Sequence, residues 1–563
     1  MKRAILVAFI TVGIMGASWA AYRVAVPQQP RTDLSAFVPA GALLYLQAND
    51  FSALLADWEK SQEKASWLTS KNFDGFSRSR LFLRLKDAGG EFSTAAGIPA
   101  DSGLLRQAAG KQTVFALYDI GKLQFLYITR IPPADFAQSV LWQTRSNFET
   151  RTAGGVDFFY RKDPDSEREV AFAVSGDYLL LATRADLLAG ALQLLAGGRN
   201  PSLAEEPWWS RCVAAAGAPG DLRMILNLDK IVPSPYFRSY WIEQNITEMS
   251  HYSAAITDLT RSGRQYREER TLLKKDAAQQ TDEKGATAVA DLVRLVPASA
   301  GLYEARANPK DSADLLAASI LSPHPGPSGL QKLAPAAALG NGVTGSPTDL
   351  ETRIDQPPAQ NSAAGDSRAA LQAVLAKNHV LAQLRVKRTD HDSAEVFVRV
   401  HSAVAFLAES DWDQAAVRAA LVDFIRPDFT TGKMGLGWKT SSGYSVLDGL
   451  WPLSIAVRGK YLLVSDDPAL LANMLDGMNK KTTADPAEFA AGFDHQREMA
   501  NFATLTKLLD SEAHFGGNDG SPEFFSDNIA SLSSTLKDIS SEKIMIHDAA
   551  DRQSQTVVYA WAH

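Results

Sequence analysis

The sequence predicts an α+β fold: two tandem pseudo-repeat domains of antiparallel sheet with packed helices, preceded by an N-terminal apolar helix. Three observations predict it. Short strand-like segments arrive in successive hairpins with helical spacing between groups, which implies antiparallel sheet plus helices. Two blocks recur in the same order: FVPAGALLY at 37–45 returns as LVPASAGLY at 295–303, and FAVSGDYLL at 172–180 returns as IAVRGKYLL at 455–463. The chain of 563 residues also exceeds what one hydrophobic core organises.

The elements follow in chain order. Lys2 and Arg3 precede an uncharged stretch at 4–21. As a helix it spans roughly 27 Å, nearly a bilayer's hydrocarbon thickness. A cleaved signal peptide is the competing reading, with Ser18 and Ala20 as its small residues. The anchor is preferred, with the basic start inside and the body outside. Residues 1–30 are anchor and spacer, 31–273 the first repeat, 274–286 a linker and 287–563 the second repeat. The offset between copies is 258 residues for the first block and 283 for the second, so the second half carries an insertion. Residues 322–369, rich in Pro, Gly, Ser and Ala, supply it and read as loop, with a short strand at 350–354.

Within the first half, 43–47 reads as a strand, Asp50 as an N-cap, and 51–68 as a helix with Leu54, Leu55, Trp58 and Trp67 on its spacing. Residues 113–118 and 123–129 flank a hairpin signal, 134–145 looks helical, and 156–161, 169–174 and 178–182 are strands. Gly176 supplies the positive φ a tight turn demands. In the second half Asp467-Pro468 opens a helix. Each half ends in a hairpin, near 254–273 and 543–561. Trp58, Trp67, Trp142, Tyr178 and Tyr461 are read as core residues.

Three of these patterns resemble an exported bacterial family, domain of unknown function 3352: the VPA-x-A-x-LY strand with a following tryptophan-bearing helix, the G-x-YLL hairpin with its LL-x-x-x-L helix, and S-L-x-x-x-P-x-W at 202–209. The second half keeps only the proline and aromatic of the third, at 483–489. The resemblance implies export and an unknown function, and carries over no site.

The sequence holds no catalytic constellation. G-x-S-x-G is absent, and neither Gly110-Lys111 nor Gly432-Lys433 completes a phosphate loop. The G-x-G-x-x-G at 340–345 lacks a strand before it and a helix after it. Histidines show no metal spacing, and Asp390-His391-Asp392 reads as a hairpin turn. The acid pairs at 163/165, 205/206 and 466/467 read as loops or caps. No cofactor and no metal site is expected. A net charge of −7 argues against nucleic acid. The basic run at 261–275 is interrupted by Glu268 and Glu269 and reads as a solvated sheet face. Cys212, the one cysteine, sits among apolar neighbours and reads as buried. Adjacent Trp208 and Trp209 are the candidate contact surface, against core or rim packing.

The reading is therefore a membrane-anchored, non-enzymatic binding or scaffolding protein of the bacterial envelope, with an envelope protein or lipid as partner. The alternative is a carrier or sensor for an apolar ligand such as a lipid. An enzyme with dispersed catalytic residues is the third.

Overall fold

The computed structural model describes residues 33–240, 246, 249–276, 283–310, 312–321, 365–390, 399–429, 437–441, 443–448, 453–482, 484–498 and 539–561. The N-terminal apolar segment, most of the 322–369 insertion, His391 and Asp392 lie outside them. Among the described residues no helix is long and apolar enough to cross a membrane.

The fold is α+β, built on one antiparallel sheet of twenty strands. The first half contributes β1 (Leu44–Ala48), β2 (Thr113–Asp119), β3 (Gln124–Arg130), β4 (Glu149–Ala153), β5 (Val156–Lys162), β6 (Glu169–Ser175), β7 (Tyr178–Ala182), β8 (Leu222–Asn227), β9 (Tyr252–Ser262) and β10 (Gln265–Lys274). The second contributes β11 (Leu302–Ala307), β12 (Val380–Asp390), β13 (Arg399–Ala408), β14 (Gly437–Ser441), β15 (Tyr444–Asp448), β16 (Leu453–Arg458), β17 (Tyr461–Ser465), β18 (Phe489–Asp494), β19 (Ile539–Asp548) and β20 (Arg552–Trp561). Hydrogen bonding orders the first set β4-β5-β6-β7-β3-β2-β1-β8-β9-β10. The second set runs β14-β15-β16-β17-β13-β12-β11-β18-β19-β20, the same order shifted by ten. The two ten-strand units join where β10 pairs with β20, antiparallel, from Gln265–Ala560 to Leu273–Arg552.

Local chemistry explains the matching turns. Gly176 and Gly459 both sit in the left-handed region, at φ 59° and 55°, between paired strands β6–β7 and β16–β17. The helices Ala185–Leu195 and Pro468–Gly477 follow. Asp467 caps the second, accepting from Ala469 and Leu470 N–H at 3.2 and 2.9 Å.

Each sheet face of each half has its own core. One face packs Tyr45, Leu126, Ile128 and Leu180 under Leu188, Leu192 and Trp209. Its counterpart packs Ala305, Leu384 and Leu463 under Leu292, Leu470 and Met474. On the opposite face Tyr127, Phe172 and Leu179 meet Phe92, Phe136 and Leu141 in the first half. In the second, Val404, Phe406 and Val464 meet Leu316, Leu371 and Leu421.

Three expectations about helices need correction. Residues 283–286, read as linker, begin the helix Glu283–Val293, because Gly285 and Ala286 are buried with Ala288 and Val289. Residues 365–369, read as loop, begin the helix Gly365–Lys377, whose Leu371 and Leu375 enter the core. The helix expected over 134–145 is broken into Pro133–Phe136 and Val140–Gln143, since Ser139 accepts from Trp142 N–H and starts a new cap.

Candidate contact surface

Between β1 and β2 the chain builds a helical arm. The expected helix over 51–68 is not continuous. Asp50, Ser61, Ser70 and Ser79 each accept a hydrogen bond from the backbone N–H three residues on, at 2.9, 3.1, 3.1 and 3.2 Å. Four serial N-caps therefore cut the path into Phe51–Lys60, Gln62–Leu68, Lys71–Ser77 and Arg80–Ala96. The first two helices contain no buried residue, and the last buries only Phe92, Ala95 and Ala96. What stiffens the arm is a ring cluster: Trp67 meets Phe73 and Phe76, and both meet Phe82, with centroids 5.4–6.2 Å apart.

Polar contacts pin the arm at its two sides. Tyr266 donates to Glu63 at 2.9 Å, and Arg261 stands 3.8 Å from the same carboxylate. Arg84 donates to the Gly121 carbonyl at 3.0 Å, in the β2–β3 turn, and to Glu91 at 3.2 Å. Arg168 also binds Glu91, and these two guanidinium groups hold the carboxyl below its ordinary range against the opposing cost of burial. Between the pins run β8, β1 and β2. By register, Leu44, Leu46, Leu117 and Met224 share the sheet face that carries Phe115. All four are half-buried and join none of the cores described above.

The arm exposes large apolar side chains among its polar ones. Trp58, Leu68, Phe76, Leu81, Leu83, Leu85 and nearby Leu105 are all 37–48% exposed, and they make up most of the large exposed apolar side chains among the described residues. Leu81 and Leu85 lie on the same helix side as Phe92, at 100° per residue. Phe92 is covered by the sheet, and the two leucines, about two and three turns earlier, are not. The core expectation is thus corrected for Trp58, which is 45% exposed: helical spacing marks a face, and among the described residues none buries this one. Trp67, Trp142, Tyr178 and Tyr461 are half-buried.

Trp208 and Trp209 open the helix Pro207–Ala215. Trp209 lies in the core, edge-on to Tyr45 at 4.6 Å. Trp208 is half-buried and donates its indole N–H to Glu206 at 3.1 Å, so it alone of the pair keeps a solvent face. Glu206 also accepts from Gly41 N–H at 3.3 Å. The bridge between Pro39 and Ser202, and the Phe37–Tyr178 contact at 5.9 Å, bring the repeated blocks and the 202–209 stretch into one core.

Cys212 is buried and its thiol is pushed up to about 12, which makes it a packing residue. No metal-holding cluster occurs among the described residues. Asp390 pairs with Arg388 at 2.7 Å and with His401 at 3.4 Å. In the basic run, Arg267, Arg270, Lys274 and Lys275 pair with Glu269, Glu268, Asp548 and Asp229 at 2.6–3.0 Å. A cleft of about 1260 Å³ in the second half is lined by Lys284, Asn308, Lys310, Ser312, His379 and Glu409 among others. Lys284 and Glu409 bridge at 3.1 Å. Its mixed polar wall does not suit an apolar ligand.

No family model matches the chain, and no curated protein is similar to it. Two solved structures, crystal forms I and IV of TP0453, are similar at 12% identity and a TM-score of 0.24. They cover 45% and 43% of this chain, and 82% and 80% of their own. That score is too low to establish a shared fold.

Proposed function

We propose that this chain is a non-enzymatic binding or scaffolding protein of the bacterial envelope, membrane-anchored by residues 1–30 with its body outside. The resemblance to domain of unknown function 3352 and the basic, then apolar, N-terminus support the location. One observation carries the binding role: the arm leaves large apolar side chains from Trp58 to Leu105 uncovered, on helices that bury almost nothing. Large exposed apolar side chains concentrated on one arm support an interaction site there.

The location is tested by alkaline extraction of membranes. Full-length protein should stay with the pellet, and protein lacking residues 1–30 should be released folded. Release of both would remove the anchor from the account. The binding role is tested by a photo-crosslinking residue at Leu85, which should yield an adduct in intact cells.

A second reading, a carrier or sensor for an apolar ligand such as a lipid, is favoured by the sheet strip under the arm. Leu44, Leu46, Leu117 and Met224 present apolar surface there that no core takes up. Lipid extracted from the purified protein at a fixed ratio supports this reading. Its absence, with the Leu46→Trp variant crosslinking as well as the parent, sinks it.

A further inference from the structure

We infer that the opening turns of the helix Arg80–Ala96, with the Arg78 turn before it, dock on the surface of an anionic lipid bilayer. Residues 78–86 hold four cations and no carboxylate, in a chain of net charge −7; Asp87 follows. Arg84 is turned inward to Gly121 and Glu91. Arg78, Arg80 and Lys86 are exposed and have no ion-pair partner among the described residues. The basic run at 261–275 has spent most of its cations on Glu268, Glu269, Asp229 and Asp548. A high density of positive charge is therefore available at one segment and quenched at the other.

The geometry adds the apolar component. Arg80, Leu83 and Lys86 recur every third residue and share one side of the helix. Leu83 lies about 180° around the helix from buried Phe92, so it points away from the core. It is 47% exposed, and Phe76 on the preceding helix is 37% exposed. A leucine between two unpaired cations, with exposed Phe76 on the preceding helix, is the composition of a helix that lies in a headgroup layer. A protein partner would need clustered carboxylates aligned to three spaced cations around an apolar centre. An anionic leaflet supplies both components without alignment. The inference rests on the reading of the arm as a binding surface and names what its outer side contacts.

The test uses the full chain in lipid nanodiscs, with an environment-sensitive fluorophore on Leu83→Cys and, as control, on Val213→Cys. Buried Cys212 does not compete for the label. Discs contain a lipid-borne quencher in either phosphatidylcholine alone or phosphatidylcholine with phosphatidylglycerol. The label at 83 is expected to be quenched in anionic discs only, and the label at 213 in neither. Each of Arg78→Gln, Arg80→Gln and Lys86→Gln should lower the docking equilibrium about fivefold. High salt should act in the same direction. Quenching that is equal in neutral and anionic discs, or absent from both, overturns the inference. If quenching is absent and Leu85 still crosslinks to a protein in cells, the lipid surface fails and the binding surface stands.

Discussion

Where the first half holds Leu46 opposite Phe115, the second half holds Glu304 opposite Arg385, at equivalent places in β1–β2 and β11–β12. Glu304 and Arg385 form an ion pair at 3.4 Å whose side chains are 18% and 9% exposed. On the other sheet face the relation reverses. The first half buries Arg223 on Asp258, bidentate at 2.8 and 2.7 Å, where the second has Ala490 opposite Met545. One strand order thus carries two assignments of polar and apolar faces. A buried ion pair costs desolvation and fixes what can pack against it. The position where the second half sets an ion pair is apolar in the first, on the sheet face against which the arm's Phe92 packs. The duplicated sheet sets the topology, and the two halves differ in where they place a buried ion pair and where they place apolar side chains.

The largest effect should come from breaking the Arg223–Asp258 pair. Asp258→Met leaves a guanidinium buried without its carboxylate and should cost about 3 kcal/mol in urea unfolding. The double variant R223A/D258M copies the second half and should recover most of that loss. A double variant as unstable as the single one would show that the two faces are not interchangeable.

His495 offers a comparable effect confined to the second half. It is 3% exposed and packs on Phe493 at 4.6 Å. Burial pushes it down to about 4, against the pull of Asp494. The unfolded chain therefore takes up the proton first as pH falls. The stabilisation is full above about pH 6.5 and is lost between there and about 4, a change on the order of 3 kcal/mol. Denaturation midpoints against pH check it: His495→Phe should flatten the slope in that window, and an unchanged slope would assign it elsewhere.

The arm should respond more weakly, because caps and rings hold it in place of a core. Ser79→Ala removes the acceptor for Phe82 N–H and should cost about 1 kcal/mol. Amide exchange should report it as faster exchange over residues 80–86, with the second half unaffected. The smallest change has the opposite sign. Gly89 and Gly90 lie inside the helix Arg80–Ala96 with open space where a Cβ would project. Gly89→Ala should stabilise that helix by at most about 1 kcal/mol, read as slower exchange in the same residues. A loss of stability there would mean that the arm packs more closely than this account holds.

The repeat was legible in the sequence because its signals are local. Gly176 and Gly459 make tight turns within paired strands, and Asp467 and Pro468 start a helix where they stand. The surface was not legible for two reasons. The spacing of Trp58 and Leu85 marks helix faces but says nothing of whether another element covers them. The ion pairs join residues 35 and 81 positions apart, and only strand register brings them together. Trp208 and Trp209 drew attention by adjacency, and a helix start resolved them into one core residue and one at the rim.

The central claim, that the first half binds and the second packs, is tested most directly by photo-crosslinking from matched sheet faces in intact cells. The photoreactive residue is placed at Leu85 on the arm and at Ala419, an exposed position on the helix Gln414–Phe429. The account predicts an adduct from Leu85 and none from Ala419. Equal adducts from both, or an adduct from Ala419 alone, would contradict it.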